Sequence, residues 1–412
     1  MQVDAPGTHV DARDSIPASG ARQEPGRPES RMVGHCRGAA VAPRQLPTRR
    51  ATAMTSPSPQ SQPPAGSRAP SGASRARWMD LIRGGAILLV VLLHATAIPW
   101  MFGGISSGRV VNDINSFFAP YRMSLLFLLS GVLLTRSLAK PPGTYYWNKV
   151  RTLIWPYLVW MVIGMLTEGY TDLRDPFFWI PNNWLWFIFF LAVYYAVAPL
   201  LARIPGTWFA LVPAVLWIAS WPLPDGDLSN LCYYGGFFFA GHLCVRLGSR
   251  LSRFETRTLM WVCLAVASGF GAFIIAGNRG YTNAMTAGFD AHRLELLPVV
   301  IAGIAGTVMA VRRLTGSHEG HSHDRARWLQ YIGRNSVVFY LVHFPTQVWI
   351  TNTLSDLGVT NPNISLPACF FGALAVAYLA CWLRRFRVVD ALFVLPRFAR
   401  RSPQLAPPVR PA

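Results

Sequence analysis

An arginine and a histidine stand eleven positions apart in one apolar stretch, Met79-Asp-Leu-Ile-Arg-Gly-Gly-Ala-Ile-Leu-Leu-Val-Val-Leu-Leu-His94. At 100° per residue, eleven steps end about 20° past three full turns, so Arg83 and His94 share one helix face, about 16 Å apart along its axis. An imidazole with an unperturbed pKa of about 6.5 suits proton removal from a hydroxyl. A guanidinium suits a phosphate. Together they fit a long substrate with an anionic head and a reactive far end, the shape of a coenzyme A thioester. Asp80, at i−3 to Arg83, is placed to hold the guanidinium by a salt bridge. The competing structural reading is that Arg83 snorkels to the interface and His94 hydrogen-bonds a neighbouring helix.

Few other polar groups fall within apolar stretches, where each is costly and usually paired or mechanistic: Arg122, Glu168, His242 and His343. Ser336, Tyr340 and His343 recur at i, i+4 and i+7, one helical face that lines an acceptor cavity or bonds to another helix. His242 reads as a packed or pore-lining histidine rather than a catalyst. Arg122 and Glu168 both fall toward the outer face, where they form an ion pair or snorkel independently. The loop with His318, His321 and His323 lacks helical spacing for a buried site, so no metal is expected there.

Such residues need a scaffold, and composition says which kind. Of 412 residues, 52% are hydrophobic and only 14% charged, against about 25% in soluble domains. From Trp78 the apolar residues gather in runs near 79–99, 116–138, 152–170, 184–202, 207–223, 229–248, 257–277, 294–313, 335–355 and 365–383. A helix of about 20 residues crosses a hydrocarbon core roughly 30 Å thick. The expectation is an all-α integral membrane protein of about ten transmembrane helices, with multi-pass placement in the cell membrane. Alternate loops and the chain ends carry Arg136, Lys140, Lys149, Arg151, Arg203, Arg246, Arg312, Arg334, Arg384 and others, whereas the opposite loops carry only Arg109, Arg174, Arg279 and Arg293. Positive loops stay cytoplasmic, which places both termini there. The net charge of +19 is then topology and attraction to anionic membrane lipids, and no nucleic-acid partner is expected. Trp78, Trp100, Trp155, Trp184 and Trp328 near span ends read as interfacial anchors. Residues 1–76, rich in Pro, Ala, Ser and Arg, read as a disordered cytoplasmic tail, 77–388 as the transmembrane domain, and 389–412 as a disordered basic tail. The six cysteines form no CxxC pair and read as small hydrophobes.

The arginine, ten residues and histidine of the first span resemble the opening motif of the membrane-bound acyltransferase 3 family. Leu126-Phe-Leu-Leu-Ser130-Gly131 is similar to that family's aromatic and apolar run into Ser-Gly. Lys149-Val-Arg151, shortly before Pro156-Tyr157, resembles its basic cluster, and Asn183-Trp-Leu-Trp-Phe with Tyr194-Tyr195 its Trp-Phe and Tyr pattern. Gly333, Ser336, Tyr340 and His343 resemble its late Gly, Ser, Tyr and His. The resemblance covers 75 to about 390. The basic cluster is thinner than the family's arginine pairs, and no hydrolase-like domain follows the last span, as in the stand-alone members.

What the resemblance implies is transfer of an acyl group, expected to be acetyl, from acyl-coenzyme A as co-substrate to a hydroxyl of a carbohydrate, glycolipid or secondary metabolite. No permanently bound cofactor is expected. His94 then acts as general base or as a transient acyl carrier. Arg83 holds the donor phosphate, positioned by Asp80, and Lys149 and Arg151 widen the positive mouth. Ser130, Ser336, Tyr340 and His343 complete the expected substrate contacts. The alternative is a secondary transporter, which also has about ten spans, but no similarity between two halves supports it.

Overall fold

The computed structural model describes residues 77–168, 184–278, 294–316 and 326–396, and every regular element among them is helical. In chain order these are α1 (Arg77–Gly103), α2 (Arg109–Val132), α3 (Leu134–Leu138), α4 (Pro142–Lys149), α5 (Trp155–Glu168), α6 (Trp186–Leu201), α7 (Leu211–Ser220) and α8 (Asp227–Arg246). Then follow α9 (Gly248–Leu251), α10 (Arg257–Asn278), α11 (Leu297–Gly316), α12 (Arg327–Arg334), α13 (Ser336–Asp356), α14 (Pro362–Leu383) and α15 (Arg387–Ala391).

Each of the ten apolar runs coincides with a helix, but they differ in reach. Six helical stretches among the described residues are long and apolar enough to cross a bilayer: Arg77–Gly103, Arg109–Leu138, Pro142–Thr167, Arg257–Gly277, Leu294–Thr315 and Pro362–Leu383. Trp186–Leu201 is shorter, and Trp208–Ser220, at about 1.5 Å per residue, covers only about 20 Å. The run at 207–223 therefore does not form a full-length straight span. α8 and α13 are 20 and 21 residues long, with a hydropathy diluted by inward polar groups such as His242, His343 and Gln347. Large apolar side chains, among them Leu166, Trp261, Phe273 and Phe371, are well exposed on the helix bundle. Such a surface suits lipid rather than water.

Helix ends follow local chemistry. Gly104, at φ +62°, ends α1, and Gly358, at φ +71°, ends α13, the left-handed backbone that a residue with a Cβ disfavours. Pro362 opens α14 behind Asn361, whose side chain accepts from the Asn363 N–H.

Helices approach closely where glycine removes a side chain. Gly131 of α2 lies against the Phe238 backbone of α8, and Gly241 of α8 against the Leu128 backbone of α2. Small residues let helices meet where apolar lipid offers no hydrophobic drive to associate. Beside this crossing Phe127 is fully buried, with its ring 4.6 Å from Phe187, 4.9 Å from Tyr234 and 5.5 Å from Tyr194. A second crossing joins α1 to α12, Gly84 against Leu329 and Gly333 against Asp80. The aromatic and Ser-Gly motifs thus build the packing that holds α2, α6 and α8 together.

The chain past α14 departs from expectation. Residues 387–391 are helical, Phe393 is buried, and the segment is fastened by three side-chain donors. Arg151 Nε donates to the Leu395 carbonyl at 2.8 Å, Trp155 Nε1 to Ala391 at 2.6 Å and Trp160 Nε1 to Leu392 at 3.1 Å. The part of the expected tail at 389–396 is consequently ordered wall, because its carbonyls meet these three donors. The tail 1–76, the histidine-rich loop, the side chain of Glu168 and residues 397–412 lie outside the described residues.

Candidate active site

His94 of α1 and His343 of α13 face one another across the bundle, ring centroids 4.8 Å apart and planes at 72°. Each ring is fixed by its own helix. His94 Nδ1 lies 2.9 Å from the Val90 carbonyl, and His343 Nδ1 lies 2.6 Å from that of Tyr340. A carbonyl only accepts, so Nδ1 carries a proton in both rings, and in the neutral imidazole the lone pair is then on Nε2. His343 is fully buried, and its Nε2 has no hydrogen-bond partner among the described residues. His94 is half-buried. The arrangement presents two basic nitrogens from facing helices.

Aromatic rings wall this pair. Phe344 stacks on Trp184 at 4.5 Å with an interplanar angle of 4°, and its ring centre is 5.7 Å from His94. The Tyr340 hydroxyl donates to the Trp184 carbonyl. Trp184 is thus buried in the site and not an interfacial anchor, and Trp155 is likewise tied to the carboxyl-terminal segment. On the far side Gln347, fully buried, donates to the Val91 carbonyl at 3.0 Å, and its Oε1 is unpartnered among the described residues. His343, Gln347 and Thr351 form a buried stripe at i, i+4 and i+8 of α13. Gln347 is not among the residues expected from sequence; a polar residue four positions after His343 in the same apolar run is the signal that points to it.

The residues expected at the other end separate into two groups. Arg83 donates to the Leu129 carbonyl at 3.2 Å, in the α2 turn that also carries Ser130. The Ser130 hydroxyl donates back to Leu126 at 2.8 Å, and its carbonyl accepts from the Tyr195 hydroxyl at 3.0 Å. Lys149 Nζ lies 3.3 Å from the centre of the Tyr195 ring and donates to the Ser137 hydroxyl at 3.3 Å. A five-residue π-helical turn, Val150–Ile154, follows and turns Arg151 inward, where it is buried against Leu395. Wide turns of this kind often mark functional positions.

Asp80 has a partner outside its own helix. It is 1% exposed, and its ion pair runs to Arg334 of α12, with Nε 3.1 Å from Oδ2. Spacing along α1 points to Arg83 three residues on; the tertiary structure adds a partner 254 residues away. Asp80 thereby ties α1 to α12, and Ser336 opens α13 two residues after Arg334. Ser336 sits at the Asp80 end of α13, while Tyr340 and His343 reach the His94 end. His242 is buried, its Nδ1 3.0 Å from the Thr135 hydroxyl, which is a packing position. Arg122 donates to the Asn115 carbonyl of its own helix at 3.4 Å.

A family model described as an acyltransferase domain matches residues 76–382. The chain belongs to the acyltransferase 3 family. The match takes in α1 through nearly all of α14, and so both histidines, Arg83 and the Ser130-Gly131 turn. No curated protein and no solved structure matches the chain significantly. Membership of the acyltransferase 3 family, with several apolar helices of spanning length, makes this a multi-pass membrane protein of acyltransferase type.

Proposed function

We propose that this acyltransferase 3 protein moves an acyl group, acetyl in the simplest case, from coenzyme A to a hydroxyl of a carbohydrate, glycolipid or small metabolite. The observation that carries this reading is the His94–His343 pair, two imidazoles with Nε2 lone pairs in one aromatic-walled site. His94 Nε2 takes the acceptor's hydroxyl proton as the oxygen attacks the thioester carbonyl; the tetrahedral intermediate then expels the thiolate, which takes the proton from the imidazolium. His343 supplies a second basic nitrogen beside it, and Arg83 holds the donor toward its phosphate end. Loop charge supports a cell-membrane protein with both termini in the cytoplasm, so that the donor enters from the cytoplasm.

The test is transfer from radiolabelled acetyl-coenzyme A by purified protein across a panel of glycan and metabolite acceptors. Label should move to an acceptor with wild-type protein and fall about 10² to 10⁴-fold with His94→Ala, as for loss of a general base. Label that stays on coenzyme A, with vesicle uptake of a solute instead, would establish the transporter alternative.

A further inference from the structure

A cavity of about 1020 Å³ opens between α3, α4, the π-helical turn and the carboxyl-terminal segment. Five cations line it, Lys140, Lys149, Arg151, Arg384 and Arg387, against one carboxylate, Asp390. Three of the five are committed to the protein. Arg151 is buried on the Leu395 carbonyl, Lys149 lies on the Tyr195 ring, and Arg384 pairs with Asp390 at 2.8 Å. Lys140 and Arg387 are exposed at the rim, and neither has an ion pair among the described residues.

Building on the acyl-transfer reading above, the geometry points to Lys140 and Arg387 as the residues that bind the phosphates of the donor's nucleotide end, with Lys149 and Arg151 forming the floor beneath. The ordered segment after α14 is then part of the donor site. Coenzyme A carries a diphosphate and a ribose phosphate, and a cavity of this size and sign accepts such a polyanion. The floor leads inward. Lys149 lies on Tyr195, the Tyr195 hydroxyl reaches the Ser130 carbonyl, and Arg83 holds the carbonyl of Leu129, the residue before it. From Arg83 the α1 axis rises about 16 Å to His94. An extended pantetheine arm follows that line from rim to histidine.

The experiment compares kcat/KM for acetyl-coenzyme A with that for acetyl-pantetheine, which lacks the nucleotide, in nanodiscs of neutral lipid and again with anionic lipid added. Arg387→Ala and Lys140→Ala should each lower the ratio of the two values about tenfold in both lipids, the size expected for a partly exposed charge-assisted contact. Arg385→Ala, whose guanidinium lies 3.5 Å from the Trp382 ring centre and does not line the cavity, should leave the ratio unmoved. A ratio unchanged in the rim variants, or one that falls only with anionic lipid, overturns the assignment and gives these cations to lipid headgroups. Wild-type protein that transfers from neither donor overturns the acyl-transfer reading itself, and this inference with it.

Discussion

His94 and His343, 249 positions apart in the chain, meet at 4.8 Å with both Nδ1 atoms bound to carbonyls of their own helices. Two imidazoles so fixed share one pocket, each held by its own helix. Removal of either should therefore act on the chemical step rather than on donor binding. His94→Ala should lower kcat by at least about 10²-fold and His343→Ala by less, with the donor KM of each near wild type. The double variant should fall short of the product of the single effects, since groups acting as a unit are non-additive. Steady-state kinetics on the three variants checks this; strictly multiplicative losses would show that the rings act independently.

Asp80 should prove structural. Its carboxylate is buried while Arg334 is half-exposed, so Asp80→Ala leaves mostly a lost tie and a small void, and solvent screens much of the ion pair. A loss of about 1–3 kcal/mol is expected, read as a lower unfolding temperature in detergent, with the donor KM unchanged. A raised KM with unchanged stability would return Asp80 to the substrate.

The α2–α8 crossing has no room for a side chain. Gly241→Leu sets its Cβ into the Leu128 backbone, which cannot rotate away, so the helices must separate. Overpacking of this kind typically costs about 1–3 kcal/mol or more. Gly248→Ala, at a glycine with open space around it, is the control. Detergent-solubilised Gly241→Leu should aggregate at a temperature where the control stays monodisperse on size-exclusion chromatography.

Loop charge also predicts the topology. Reporters active only in the cytoplasm should work when fused near 140, 253 and 322 and be silent near 107, 227 and 285. Equal activity in both sets would overturn the proposed orientation, and the reversed pattern would invert it.

Much of this could be read from the sequence because it is periodic or local. Apolar run length locates most helices within a few residues, since each span must satisfy its own backbone hydrogen bonds, but α2 begins seven residues before its run and the run at 207–223 holds only a short helix. The eleven-residue interval placed Arg83 and His94 on one face of α1, which holds in any helix. What the sequence could not carry was distance across the bundle. Asp80 pairs with Arg334 where Gly84 and Gly333 let α1 and α12 close on one another, and Trp184 stacks on Phe344 and Arg151 holds Leu395 across other distant stretches of chain. Residue type alone left His343 as one of several polar groups in an apolar run. Only the packing of α13 on α1 put its ring against His94, and only the fastening of the last segment turned Arg387 from a loop charge into the rim of a cavity.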